Sequence, residues 1–131
     1  MIYGAWGVAL IEDWLVGKTV KAMLVDSTYV QAVDDTLSDA TACEASGTGY
    51  TAGGIDVTSL ISVSLDVPTQ AVQFLCDPID FGTVTITDVA GIVLYAGTVP
   101  IAADLFGGNS ITAANFTYEP LPGGLIANVI A

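Results

Sequence analysis

The sequence contains no histidine and no arginine, and its only basic residues are Lys18 and Lys21. Without histidine, the chain lacks the side chain that usually shuttles protons near neutral pH and most often binds transition metals. Without arginine, it lacks the planar guanidinium that clamps carboxylates and phosphates through two parallel hydrogen bonds. The 14 acidic residues give a formal net charge of −12, so the chain would repel a phosphate backbone. We therefore expect no nucleic-acid partner.

Cysteines and long apolar runs are also scarce. We interpret Cys43 and Cys76 as small, partly buried thiols, with a disulfide between them as the alternative. The apolar runs are far shorter than the ~20 residues that a membrane helix needs. The segment 2–16 lacks a basic start and contains Glu12 and Asp13, so it fits neither a signal peptide nor an anchor. We expect a soluble protein with no membrane partner.

Size and composition indicate one folded domain, residues 1–131. A chain of this length buries roughly two thirds of its unfolded surface. Apolar residues make up 53% of the chain and charged residues only 12%. So few charges suggest that part of the surface is covered by neighbouring molecules, as in a subunit of an assembly.

Short runs of alternating apolar and polar residues, separated by turn residues, predict a mainly β protein. In the first run Val20, Ala22 and Leu24 would face one way, and the intervening residues the other. Residues 99–106 are less regular, and Gly107-Gly108-Asn109 is predicted as a turn. The architecture predicted is a single antiparallel β-sandwich or barrel-like domain. Strands are predicted at residues 18–25, 55–58, 60–67, 71–76, 82–88, 91–97, 115–119 and 125–130.

Two short helices complete the prediction. Apolar residues from Trp6 to Leu15 fall near helical spacing, which predicts a helix or arm within residues 1–17 that ends at Gly17. Thr36 or Ser38 could cap a second helix through Ala45. The acidic residues of this second region are interpreted as a solvated face.

The segment 44–54 has four glycines in eight residues, Gly47, Gly49, Gly53 and Gly54. Glycine adopts backbone angles that are closed to other residues, so we interpret the segment as a shaped corner that leads into the main sheet. Tyr50 is its one large side chain and would anchor it. A phosphate-binding loop would need a Lys and a hydroxyl residue after the last glycine, and Ile55 and Asp56 follow instead.

No catalytic or cofactor-binding residues are predicted, and we expect a protein that is not an enzyme. The acids that could form a glycosidase pair lie beside turns or on solvated strand positions, and no pair stands out. They are Glu44, Asp56, Asp66, Asp77, Asp80 and Asp88. Calcium remains an alternative, bound by Asp34 and Asp35 with Asp39, or by Asp77 with Asp80.

The aromatic residues are interpreted as core rather than as a platform for a ligand. None of them forms a dense cluster in the sequence. The residues considered are Trp6, Trp14, Tyr50, Phe74, Phe81, Tyr95, Phe116 and Tyr118.

The order of these features resembles a family of small structural proteins of tailed bacteriophages. The resemblance rests on Glu44-Ala45-Ser46-Gly47-Thr48-Gly49-Tyr50-Thr51-Ala52-Gly53-Gly54 as its specific motif. At the level of pattern it extends over Asp13-Trp14-Leu15, residues 19–24, the acidic segment 34–39, Val72-Gln73-Phe74, residues 92–95, Phe116-Thr117-Tyr118 and Gly124-Leu125-Ile126. The resemblance implies a virion component, usually without enzymatic activity.

Our leading hypothesis is a capsid decoration (cement) protein, made in the host bacterial cytoplasm and located on the outside of the virion. Its partners would be the major capsid protein and copies of itself, in a symmetric oligomer such as a trimer. Trp6, Trp14, Lys18 and Lys21 are the candidate capsid contacts. The alternative is a tail or tail-fibre component, including a module that binds the host surface.

Overall fold

The computed structural model describes residues 4–30, 36–66, 71–120 and 125–130. Within these ranges the chain is mainly β, with antiparallel sheets and two short α-helices, as predicted. The helices are α1 (Gly4–Leu15) and α2 (Leu37–Ala42), and a 3-10 turn spans Thr58–Leu60. The strands are β1 (Val20–Val25), β2 (Gly47–Thr48), β3 (Ile55–Asp56), β4 (Ile61–Asp66), β5 (Ala71–Cys76), β6 (Ile79–Ala96), β7 (Val99–Tyr118) and β8 (Leu125–Ile130).

A long hairpin of β6 and β7 organises the first sheet. The two strands have 18 and 20 residues and pair antiparallel from Ile79 opposite Tyr118 to Ala96 opposite Val99. β1 lies antiparallel along the other edge of β6, and β2 pairs further along that same edge, at Thr85 and Ile86. β3 then pairs with the outer edge of β1. The sheet is therefore built around β6, which has neighbours on both sides.

The second sheet has the strand order β4-β5-β8, and both of its pairings are antiparallel. Helix α1 packs against β4 and β5. A core shared by the two sheets joins Val20, Ala22 and Leu24 of β1 to Ile61 and Cys76 of the second sheet. This arrangement is a β-sandwich-like fold.

The opposite face of the first sheet is covered by α2. Met23 and Val25 point to this side with Val93 and Tyr95, and they pack with Ala40 of α2. The alternation predicted for β1 is thereby confirmed. The apolar stretch of β6 from residue 91 to residue 96 is buried on both faces, as predicted for a central strand.

The predicted break after residue 97 is confirmed, because β6 ends at Ala96 and β7 begins at Val99. The other predicted breaks between residues 82 and 119 are wrong, because β6 and β7 continue through them. Gly82 was expected to begin a strand and Gly107 to lie in a turn, but both lie inside a strand and have positive φ angles, +75° and +83°. At such points the strand forms a bulge and continues, because one strand accommodates extra residues without losing its partner. Between Leu105 and Asn109, three residues of β7 face the single residue Ala90 of β6.

The helix predictions hold with shifted ends. α1 ends at Leu15, shortly before Gly17, whose φ is +77°. Thr36 is the N-cap of α2 and accepts a hydrogen bond from the Asp39 N–H at 3.1 Å. The helix ends at Ala42 rather than Ala45, because Glu44 and Ala45 pair with the end of β1 instead.

The cysteines lie on opposite faces of the first sheet. Cys76 belongs to the core shared by the two sheets, and Cys43 packs on the side of α2. No disulfide joins them, so the thiol interpretation is confirmed. Among the described helices, none is long and apolar enough to cross a membrane.

Candidate functional site

The outer edge of β1 obtains its hydrogen-bond partners from three separate segments. Near its start, the Val57 N–H donates to the Val20 carbonyl at 2.8 Å. Near its end, the Ala45 N–H donates to the Leu24 carbonyl at 2.9 Å. Between them the Leu24 N–H has no strand partner and donates to the Tyr50 hydroxyl at 3.0 Å. A side chain of the glycine corner therefore completes the pairing of this edge.

The Glu44 carboxylate joins two other residues of the glycine corner by hydrogen bonds. Its Oε2 accepts hydrogen bonds from the Tyr50 hydroxyl at 2.8 Å and from the Gly53 N–H at 2.7 Å. The Tyr95 hydroxyl, on β6, donates to the Gly53 carbonyl. Both ends of the corner are thereby tied to strands of the first sheet.

The glycines of the corner are required by close backbone approach. A Cβ on Gly47 would lie 2.0 Å from the Thr85 carbonyl oxygen, and a Cβ on Gly49 would lie 2.3 Å from that of Thr83. A Cβ on Gly54 would lie 1.9 Å from the Ala22 carbonyl oxygen, and Gly54 also has a φ of +85°. Gly53 has a similar φ, +88°, but an added Cβ there would make only an ordinary contact, 3.7 Å from the Tyr95 hydroxyl oxygen.

The two tyrosine hydroxyls at the glycine corner have raised pKa values. Burial raises the pKa of the Tyr50 hydroxyl well above its usual value, and its hydrogen bond to Glu44 raises it further. Burial also raises the pKa of Tyr95. Both hydroxyls therefore stay protonated at neutral pH and serve as fixed donors rather than as bases. The arrangement joins strands of the first sheet through fixed hydrogen bonds.

Among the predicted contact residues, Trp14 and Lys18 lie together at the end of α1. The Lys18 Nζ donates to the Trp14 carbonyl at 2.8 Å and lies 4.6 Å from the centre of the Trp14 ring. Trp14 is exposed, which contradicts its assignment to the core. Lys21 points to the opposite face of the first sheet, because it alternates with Val20 and Ala22. The structure describes the backbone of Trp6 and Phe74 but not their side chains.

Three exposed apolar side chains lie in and just after the second half of α1. Leu10 is 44% exposed, Trp14 38% and Val16 76%. We call these three residues and Lys18 the α1 patch. An open groove of about 370 Å³ between α1 and β4 meets the patch at Val16 alone; its lining residues are Glu12, Leu15, Val16, Ile61, Ser62 and Val63.

A second, smaller groove lies between the first half and the end of β7, and the sequence analysis missed it. Its volume is about 190 Å³. We call it the β7 groove; its lining residues are Asp104, Phe106, Phe116, Thr117, Tyr118 and Glu119. Its aromatic residues are separated along the chain and meet only after β7 has folded onto β6. No local pattern in the sequence predicts the β7 groove.

The isolated acids have local partners. Asp56 accepts hydrogen bonds from Thr58, and Asp88 accepts them from Ser27, which lowers the pKa of both carboxyls. Asp80 accepts a bond from the Gly82 N–H at 2.8 Å. Within the described ranges, no group of three or more acidic or cysteine side chains could hold a metal ion. Asp34 and Asp35 lie outside those ranges.

Comparison of the chain with known protein families, with curated proteins and with solved structures found no match.

Proposed function

We propose that the chain is a non-enzymatic structural protein of a tailed-bacteriophage virion, and specifically a capsid decoration protein. It binds the outside of the major capsid protein lattice, together with other copies of itself. The support comes from the resemblance of segment 44–54 to the bacteriophage family, from the structural role of the hydrogen bonds in that segment, and from the exposed α1 patch.

The observation that carries the proposal is the α1 patch. Leu10 and Trp14 are four residues apart and share one face of the helix, and Val16 follows at its end. A side chain as apolar as Val16 is 76% exposed, next to an open groove. Exposed apolar groups in and just after one helix, with Val16 lining a groove, are typical of a surface that meets a partner.

The charges of the chain also support a contact with the capsid through the α1 patch. Lys18 brings one of only two cationic side chains in the sequence to the α1 patch. Glu12 and Asp13 are the acidic residues of α1, and the other 12 acidic residues lie elsewhere in the chain. A net charge of −12 then keeps particles apart in solution.

Decoration would stabilise the shell by mass action. A protein that binds the assembled, expanded lattice and not its separated subunits shifts the equilibrium towards the lattice. The stabilisation grows with the concentration of the free protein relative to its dissociation constant. No catalytic group is needed for this role.

Cryo-electron microscopy of the virion that encodes this chain tests the proposal. We expect density for the β6–β7 hairpin and its two sheets at repeated positions over the icosahedral shell, with the α1 patch against the capsid. Density confined to the tail would overturn the decoration role and favour the alternative, a tail or tail-fibre component.

A binding assay tests the contact surface itself. Purified chain is mixed with expanded particles that lack it, and bound protein is measured after sedimentation. We expect a double variant, Trp14→Ala with Val16→Ser, to bind at least about tenfold more weakly, since two apolar contacts are lost. The matched control is Val99→Ala, an exposed apolar residue outside the patch, which should bind normally. Equal binding by both variants would exclude the α1 patch.

A further inference from the structure

A row of three aromatic rings leads from the buried Phe81 to the β7 groove. The ring centres of Phe81 and Phe116 are 5.6 Å apart, and those of Phe116 and Phe106 are 6.4 Å apart. Phe81 is buried, whereas Phe106 is 38% exposed. Phe106 begins the bulge of β7 and is followed by Gly107 in the left-handed region, so the backbone holds the ring at this position.

Two carboxylates flank these rings. Asp104 precedes Phe106 and accepts a hydrogen bond from the Tyr118 hydroxyl at 2.6 Å, which fixes its position in the groove. Glu119 follows Tyr118 and is exposed. The 14 residues between Asp104 and Glu119 carry no charge, so the negative charge of this strand is confined to the groove.

We propose that the β7 groove binds one basic side chain, an arginine or a lysine, of a partner protein. The cation lies against the exposed Phe106 ring, and Asp104 and Glu119 neutralise its charge. Cations are attracted to the faces of aromatic rings, and nearby carboxylates add to that attraction.

The size of the groove favours a single side chain. Its volume of about 190 Å³ is below the ~300–1,000 Å³ that is typical of sites for small-molecule ligands. The sign of the charge favours a cation, since a chain of net charge −12 attracts positive partners from a distance and repels negative ones. The inference is independent of the proposed virion role, because it depends only on this groove.

The test uses the full chain and a defined probe, the peptide acetyl-Gly-Arg-Gly-amide. Its control is the citrulline peptide, which has nearly the same shape and no charge. Binding is followed by amide chemical shifts in ¹⁵N NMR spectra. We expect saturable shifts confined to the amides of residues 104–106 and 116–119 with the arginine peptide, weakening as salt is added, and none with the citrulline peptide.

Variants assign the contacts. Phe106→Ala and Glu119→Gln should each weaken the binding by about two- to fivefold, as expected for one cation–π contact or one exposed ion pair. Leu105→Ala is the matched control, because Leu105 is 46% exposed and does not line the groove. Since Glu119 is exposed, its variant keeps the fold and tests the groove even if Phe106→Ala does not.

Four results of the peptide titrations would overturn the proposal. They are equal shifts with the citrulline peptide, shifts that map outside the groove, no saturable shift at all, and unchanged affinity in the Glu119→Gln variant. Shifts of the same amides by a neutral sugar, with no effect of the arginine peptide, would also overturn it and indicate a glycan site.

Discussion

The hydroxyl of Tyr50 accepts a hydrogen bond from the backbone N–H of Leu24 at 3.0 Å, in the place where a neighbouring strand would otherwise lie. The same hydroxyl donates to Glu44 at 2.8 Å. One oxygen therefore completes the edge of β1 and locks the glycine corner against it. Because the site is partly buried, water cannot fully replace either bond.

Replacing Tyr50 by Phe removes this oxygen and keeps the ring. The Leu24 N–H and the Glu44 carboxylate each lose a partner, so we expect the free energy of unfolding to fall by about 1–3 kcal/mol. Tyr95→Phe is the matched control, which loses the bond to the Gly53 carbonyl and should cost about 0.5–1.5 kcal/mol. Urea unfolding followed by circular dichroism measures both. A cost for Tyr50→Phe no greater than for Tyr95→Phe would contradict this account.

Alanine substitutions at two adjacent glycines distinguish the stability cost of backbone strain from that of steric overlap. Gly53 and Gly54 have φ angles of +88° and +85°, but only Gly54 lies against a backbone atom, with 1.9 Å between an added Cβ and the Ala22 oxygen. Gly53→Ala should cost about 1–2 kcal/mol, from the left-handed conformation alone. Gly54→Ala should cost about 3 kcal/mol or more, because β1 and β3 must also separate.

Thermal unfolding of the two alanine variants, side by side, measures this difference. The comparison is controlled internally, since both substitutions add the same methyl group at nearly the same φ. Equal melting temperatures would show that the contact between Gly54 and β1 is not needed for the fold.

Patterns local in sequence predicted much of the fold. The alternation in β1, the cap at Thr36, and the ranges of β5 and β8 could be read from the chain because each depends on neighbouring residues. The continuity of β6 and β7 could not, since Gly82 and Gly107 are compatible with both a turn and a bulge. Pairing with the opposite strand decides between the two, and that pairing is not local.

The candidate sites depended even more on contacts between distant segments. The motif around Tyr50 marked a shaped corner, but nothing in it indicated that the hydroxyl reaches Leu24, which is 26 positions away. Phe106 and Phe116 are ten positions apart on β7, and their rings lie 6.4 Å apart because the strand bends between them, where its pairing with β6 is irregular. Trp14 was assigned to the core because its spacing suits a buried helix face, and that spacing does not say which face is covered.

The hydrogen bonds of the Asp88 carboxylate make the stability of the turn after β1 depend on pH. Its Oδ2 accepts hydrogen bonds from the Ser27 hydroxyl at 2.6 Å and from the Ser27 N–H at 3.1 Å, and these bonds lower the pKa of the carboxyl. Because the pKa is lower in the folded state, the stabilisation is complete above the unfolded value of about 3.9 and is lost as the pH falls through the folded value.

Ser27→Ala should therefore raise the pKa of Asp88 towards its usual value, while the backbone bond keeps part of the shift. NMR titration of the Asp88 carboxyl carbon measures the change. Asp56, whose pKa is lowered by Thr58, is the control within the same spectra and should titrate as before. An unchanged pKa of Asp88 would mean that the Ser27 hydroxyl does not stabilise the carboxylate.

Cys76 is predicted to be chemically inert in the folded protein. It is 2% exposed, and its thiol donates to the Asp77 carbonyl at 3.0 Å. Burial, with a smaller effect of the Asp77 charge, raises the pKa of the thiol to about 11. At pH 8 the reactive thiolate should then be about two-hundredfold less abundant than in an ordinary cysteine of pKa about 8.5.

Alkylation by iodoacetamide, followed by mass spectrometry, tests this prediction in a Cys43→Ser variant, where Cys76 is the one remaining thiol. We expect labelling at pH 8 to be at least about two-hundredfold slower in buffer than in urea that unfolds the chain, because burial limits access as well as ionisation. Raising the pH towards 11 should speed the labelling of the folded protein. Native labelling as fast as in urea would mean that the core around Cys76 opens readily, and that the two sheets are packed less firmly than their shared core indicates.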